Sequence, residues 1–152
     1  MKTATLWLST LLLLLSQVVQ AENMVMQRVD QGFETSMILL KDKLEEYGYR
    51  VAHIQTCDSG LGDFGYQTDK YRLVFFGKLE EVRRLSDQHP ELIPYLPLKI
   101  AVIKEQETVV LVALNPRTLS EFFAGRELAI QFQRWESDIR AIFNEIGATE
   151  RL

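Results

Sequence analysis

The sequence predicts a single-domain α+β fold with a mainly antiparallel sheet and helices packed on it. Its 152 residues suit one domain, and 47% hydrophobic with 25% charged residues is typical of a globular chain. Short segments rich in Val and Ile are separated by segments with helical periodicity. One pair of short segments forms a clear hairpin and few strand-to-strand crossovers are evident, which favours antiparallel pairing.

Residues 1–21 predict a cleavable signal peptide. The apolar run from Ala4 to Leu15 follows a short positive start and is too short to span a bilayer. Small residues at Val19 and Ala21 suit a signal peptidase, so we expect cleavage before Glu22 and export to the periplasm. A hydrophobic first helix and an uncleaved anchor are the alternatives. After cleavage we expect no membrane association.

The predicted mature domain covers residues 22–152, and its first half alternates strands and helices. In chain order we expect a strand at Met24 to Val29, a helix at Phe33 to Tyr47, strands at Arg50 to Cys57 and Tyr71 to Phe76, and a helix at Lys78 to Gln88. Gly48 ends the first helix. Pro90, Pro94 and Pro97 then predict a passage rich in turns.

The second half begins with the hairpin. Leu98 to Lys104 and Thr108 to Leu114 are rich in Ile and Val, and they flank the polar residues 105–107. Residues 118–121, Thr-Leu-Ser-Glu, have the form of a capping box and predict a short helix towards Phe123.

A C-terminal helix at residues 127–146, ended by Gly147, is the most regular predicted element. Its apolar stripe recurs in steps of four and three and consists of Leu128, Phe132, Trp135, Ile139, Ile142 and Ile146. We expect this stripe to cover the chain's own sheet. The alternative is that the stripe forms a homodimer surface.

Charge and cysteine content exclude several classes of function. Seventeen Lys and Arg against twenty-one Asp and Glu give a net charge of −4, too acidic for a protein that binds nucleic acid by neutralising phosphates. The single cysteine, Cys57, excludes an intrachain disulfide and a multi-cysteine metal site.

Motifs for catalysis and cofactor binding are weak. Residues 60–65 match the glycine spacing of a dinucleotide fingerprint, but the loop leads into a strand where that motif needs a helix. No acid–base pair or catalytic triad is evident in the sequence. We therefore favour a non-catalytic protein and expect no cofactor and no bound metal.

The loop after the second strand is the candidate binding site. It combines glycines with carboxylates and aromatic side chains, a mixture typical of binding loops. The candidate contacts for a small ligand or a periplasmic protein partner are Cys57, Asp58, Asp63, Phe64 and Tyr66. A different class of function remains open, in which Cys57 and His53 handle a metal or take part in redox chemistry.

Several motifs in a fixed order resemble the family known as domain of unknown function 302, over about Val25 to Phe123. The motifs are Phe33-Glu34-Thr35 and Gly48-Tyr49-Arg50-Val51 at the ends of a helix, the strand Tyr71 to Gly77, Leu96-Pro97, and Leu114-Asn115-Pro116. The resemblance implies a curved antiparallel sheet with helices packed on it, similar to the TATA-binding-protein topology. It implies no established activity or catalytic residues. The loop over residues 57–66 and the Trp135 helix resemble features of an exported subgroup.

Overall fold

The computed structural model describes residues 23–56, 65 and 71–149 of the chain. The strands are β1 (Met24–Val29), β2 (Arg50–Thr56), β3 (Tyr71–Gly77), β4 (Leu98–Glu105) and β5 (Thr108–Leu114). The α-helices are α1 (Phe33–Glu46), α2 (Leu79–Gln88) and α3 (Arg126–Ala148). Two 3-10 helices cover Pro90–Tyr95 and Pro116–Glu121.

The described strands form one curved sheet in the order β1-β5-β4-β3-β2, and every neighbouring pair is antiparallel. The β2–β3, β3–β4 and β4–β5 pairs join strands that are consecutive in the chain. β1 pairs with the other side of β5. The predicted α+β fold with an antiparallel sheet is therefore confirmed, including the hairpin.

One face of the sheet, which we call the inner face, packs against α1 and α3. A row of buried cross-strand partners, Val74, Ile100, Ala113 and Val25, runs through its centre. The predicted stripe of α3 packs on this face, and all six of its members are buried. The stripe is part of the core and therefore cannot form a homodimer surface. Within the described residues, no helix combines the length and the apolar character needed to cross a membrane.

The short helix that was predicted to begin at the Thr118 capping box begins earlier, as the 3-10 helix Pro116–Glu121. The prediction of Thr118 as its cap is wrong. Asn115 is the N-cap, because its side chain accepts a hydrogen bond of 3.0 Å from the Arg117 backbone N–H. Thr118 instead donates its hydroxyl to the Asn115 carbonyl at 2.7 Å. Asn115 is buried and Pro116 follows it, and this pair satisfies the cap requirement before Thr118 is reached.

The predicted end of α3 at Gly147 is also wrong, since the helix continues to Ala148. A Cβ atom at Gly147 would lie 2.6 Å from the Gln27 Nε2 atom of β1. The glycine therefore permits a close approach between α3 and β1 and does not stop the helix.

Candidate binding surface

The second face of the sheet, which we call the outer face, points away from the helices. Because cross-strand partners in an antiparallel sheet point to the same side, the pairing register assigns each strand residue to a face. One row of the outer face begins with Gln55 of β2 and continues with four apolar side chains, Leu73, Ala101, Val112 and Met26, taken from β3, β4, β5 and β1. None of these four side chains belongs to the buried core cluster.

The outer face is apolar over most of its area. Its apolar side chains are Met24, Met26, Tyr71, Leu73, Phe75, Ala101, Ile103, Val110, Val112 and Leu114. Met26 is 62% exposed, Met24 and Leu114 are also exposed, Val110 is buried, and the other six are half-buried. An antiparallel sheet with one solvated face normally places polar residues there, so this face is a partly exposed apolar patch, and such patches can mark interaction sites.

Polar side chains lie around the apolar part of the outer face. Near the β4–β5 turn, the Arg28 guanidinium contacts the Glu105 carboxylate and donates to the Thr108 hydroxyl at 3.3 Å. At the β2 side, the exposed His53 ring lies beside Phe75 with 6.0 Å between the ring centres. The exposed Lys99 of β4 also lies on this face, opposite Phe75. The four apolar side chains of the central row remain next to one another.

A cavity of about 350 Å³ lies at the end of the outer face where the two 3-10 helices meet the sheet. Met24, Leu73 and Val112 line it from the sheet, and Tyr95 and Pro116 line it from the 3-10 helices. This lining is mostly apolar. The cavity therefore extends the outer face beyond the strands.

The sequence contained a signal for this surface that we did not use. In β5, Val109 to Ala113 is an unbroken apolar run, and Ile100 to Ile103 in β4 is another. Continuous apolar runs are typical of strands that are covered on both faces. The hairpin prediction used these residues only to locate strands.

Cys57, Asp58, Asp63, Phe64 and Tyr66 all lie outside the described residues, and their role stays a prediction.

His53, the described member of the proposed metal or redox pair, is exposed on the outer side of β2. Among the described residues no cluster of three or more His, Cys, Asp or Glu is arranged to hold a metal ion. The redox or metal-handling alternative with Cys57 therefore also stays a prediction.

A polar network on the helical side of the molecule joins α2, α3 and the turn before β2. Tyr49 donates its hydroxyl to Asp138 at 2.5 Å, and Trp135 donates its indole N–H to Glu81 at 2.8 Å. Arg134 lies between the two carboxylates and contacts both. Burial raises the pKa of Tyr49 well above its ordinary range, and the hydrogen bond to Asp138 raises it further. Because these groups pair with one another, the network ties three elements together.

Comparison with known proteins defines the family. The family model described as "Domain of unknown function DUF302" matches residues 25–146, which include the five described strands except Met24, the first residue of β1. The chain belongs to this family. The match confirms the resemblance seen in the sequence and extends it from Phe123 into α3, so the C-terminal helix is part of the family domain.

A solved structure of the family has the same fold. It is the crystal structure of an uncharacterized conserved protein DUF302 from Bacillus stearothermophilus, with a TM-score of 0.73 and 17% sequence identity. The similarity covers 83% of this chain and 99% of the other chain. At this identity the likeness concerns the fold alone. The comparison with curated proteins finds no match.

Proposed function

We propose that this chain is an exported, non-catalytic module that binds a protein partner through the outer face of its sheet. The observation that carries the proposal is the row Leu73, Ala101, Val112 and Met26, which is apolar across four strands and lies outside the buried core. Leaving such a row in water forgoes the free energy of burying it, about 25 cal/mol per Å² of apolar surface. A partner that covers the row recovers that free energy.

The size of the outer face favours a protein over a small molecule. Strands of six to eight residues at the usual spacings span roughly 24 by 20 Å, or about 500 Å² of sheet. Protein interfaces bury about 800 Å² on each partner, so the sheet supplies much of such a surface. Small-molecule sites are concave, whereas most of this face is an open sheet surface.

The loop over residues 57–66 is the second part of the proposed binding surface. β2 ends at Thr56 and β3 begins at Tyr71, and Tyr71 belongs to the outer face. Thr56 and Tyr71 therefore lie at the same end of two neighbouring strands. We propose that Phe64 and Tyr66 add aromatic contacts to the same partner.

The proposed location follows from the predicted leader. With cleavage before Glu22, the domain folds after export, and its partner is a periplasmic protein. A second copy of the chain is one protein that meets this description.

The test compares charge insertion on the outer face with the same change elsewhere. We expect Met26→Glu and Leu73→Glu to abolish cross-linking to the partner in periplasmic extract, with the partner identified by mass spectrometry. The matched controls are Ile38→Glu on α1 and Ile130→Glu on α3, since Ile38 and Ile130 are 56% and 57% exposed. These controls should retain the cross-link, because they add the same charge to a helix surface.

Further results test the role of the outer face, the role of the loop and the identity of the partner. If the outer-face variants cross-link to the partner as well as the controls do, the proposal is wrong. A Phe64→Ala, Tyr66→Ala variant tests the loop separately, and we expect weaker cross-linking with unchanged folding. If the cross-linked species is a dimer of this chain, sedimentation should show that the outer-face variants are monomeric.

A further inference from the structure

The strand β2 forms an edge of the sheet. It pairs with β3 on one side, and no described strand pairs with it on the other. Over residues 50–55, the backbone groups that point away from β3 also make no hydrogen bond to a described turn or loop. An edge strand with such groups is a template for another extended chain.

A groove runs along this edge, between β2 and the C-terminal half of α1. It has a volume of about 780 Å³, within the range typical of ligand sites. The groove is lined by Lys41, Glu45, Gly48, Tyr49, Arg50, Val51 and Ile54.

The floor of the groove is apolar because of a bulge in β2. Val51 pairs with Phe76 and Ile54 pairs with Val74, and both partners are buried on the inner face. Residues three apart in a regular strand point to opposite faces, but the register shift between Val51 and His53 places Val51 and Ile54 on the same face. Both side chains are half-buried and open to the groove.

The walls of the groove carry charges of both signs. Lys41 and Glu45 are exposed and lie one turn apart on α1, and the exposed Arg50 lies at the start of β2. Residues four apart on a helix share one side, so Lys41 and Glu45 both face the groove. Polar side chains of either sign on a bound segment therefore find a counter-charge.

We propose that this groove binds an extended peptide segment, which adds to β2 as a sixth strand. An extended backbone places N–H and C=O groups at the spacing of the free edge, whereas a helix uses these groups internally. Alternate side chains of the peptide contact Val51 and Ile54, and its polar side chains face the charged walls. This site is separate from the outer face. The outer face is proposed to bind a folded protein surface, whereas the groove binds a single extended strand.

The edge of β2 carries little protection against an added strand. Its sequence, Arg-Val-Ala-His-Ile-Gln-Thr, contains no lysine, proline or acidic residue, so only Arg50 and the bulge after Val51 are of the kind that protects an edge. A single extended strand can occupy the groove beside β2, and the experiment below distinguishes it from pairing with a second copy.

The probe is a fluorescein-labelled peptide of about eight residues that alternates Val and Thr and ends in Glu. A second peptide has the same sequence with every internal amide N-methylated, which removes the N–H donors. With the chain from Glu22 onward, we expect saturable binding with a Kd below about 1 mM and binding about tenfold weaker for the methylated peptide. Amide shift changes in NMR spectra should centre on residues 50–54.

The variants separate this site from the outer face. Ile54→Glu should weaken binding of the unmethylated peptide about tenfold, while Ile38→Glu and the outer-face variant Met26→Glu leave it unchanged. Thermal melting of each variant confirms folding. Absence of saturable binding, equal binding of the methylated peptide, or loss of binding in Met26→Glu alone would each overturn the proposal. Contacts between β2 and a second copy, or between β2 and residues 57–70, in the free protein would also overturn it.

Discussion

At the scale of single residues, Tyr49 shows how a polar group is kept inside the fold. Its side chain is almost fully buried, its ring packs edge-on against Phe76, and its hydroxyl reaches Asp138 of α3. The residue belongs to the turn between α1 and β2, so this one hydrogen bond fixes that turn against the last helix. Lys78 covers the other side of the ring, with its Nζ atom 4.6 Å from the ring centre.

Tyr49→Phe should lower the free energy of unfolding at neutral pH and change how that free energy depends on pH above about 10. Removing the hydrogen bond costs about 1–2 kcal/mol at pH 7. Because burial raises the pKa of Tyr49 in the folded chain, the unfolded chain loses this proton first, above its own pKa of about 10. The stability that this group contributes is therefore complete below about pH 10 and is lost as the pH rises further.

The measurement is urea unfolding of both proteins at pH 7, 9 and 11. The free energy advantage of the wild type should be constant between pH 7 and 9 and should shrink at pH 11. The Phe variant is the control for every other titrating group, since the two proteins share them all. An advantage that grows at pH 11 would contradict this interpretation of the network.

At the scale of elements, the end of α3 depends on a neighbouring strand. Gly147 lies in the last turn of the helix, and Gln27 of β1 occupies the space that a side chain at Gly147 would take. Helix propensity alone makes glycine the poorer choice by about 1 kcal/mol relative to alanine. The close packing of Gln27 against this position opposes that preference.

A double-mutant cycle between Gly147 and Gln27 should reveal this packing. In a Gln27→Ala background, Gly147→Ala should raise the free energy of unfolding by about 1 kcal/mol, because the added methyl group meets open space. In the wild-type background the gain should be smaller or reversed, by a coupling of about 0.5 kcal/mol or more. Urea unfolding of the four proteins measures the coupling, and strictly additive values would show that Gln27 moves aside at no cost.

At the scale of the whole molecule, one sheet has two apolar faces with different environments. Leu73 and Val74 are neighbours in β3, yet Leu73 is half-buried on the outer face and Val74 is fully buried on the inner face. The helices of the described chain cover only the inner face. The described helices therefore leave the outer face uncovered, while the inner face holds the fold together.

Glu substitutions at these two neighbours should separate the faces. Val74→Glu places a charge in the core and should cost more than about 3 kcal/mol, enough to unfold much of the protein. Leu73→Glu removes only partial packing and should cost about 1 kcal/mol. Circular dichroism during urea unfolding compares the two variants, which carry the same new side chain at adjacent positions of one strand. Equal losses would show that the outer face is also covered.

The sequence could predict much of the fold at the scale of elements, because helix and strand patterns depend on residues close together in the chain. The predicted bounds of β1 and β5 match the observed strands, and Gly48 follows α1 with a positive φ of 77°. The cap prediction was wrong for a local reason, because Asn115, three residues before Thr118, already caps the helix. The role of Gly147 depends on a distant residue, since Gln27 of β1 lies against it.

The candidate site could be predicted only in part. The sequence directed attention to His53 and to the loop over residues 57–66, because glycine, aromatic and ionisable residues there are typical of binding sites. It did not indicate the outer face or the β2 groove. Both surfaces are built from side chains such as Val51 and Val112, whose residue types are equally typical of a core.

The sequence by itself determined the family, the α+β class, the order of the elements and the stripe of α3 that enters the core. These properties follow from local periodicity and from motifs in a fixed order. The tertiary structure alone decided the strand order, which face of the sheet the helices cover, and that β2 lies at an edge. Strand pairing joins residues far apart in the chain, and an apolar strand gives no local sign of which of its two sides will be buried.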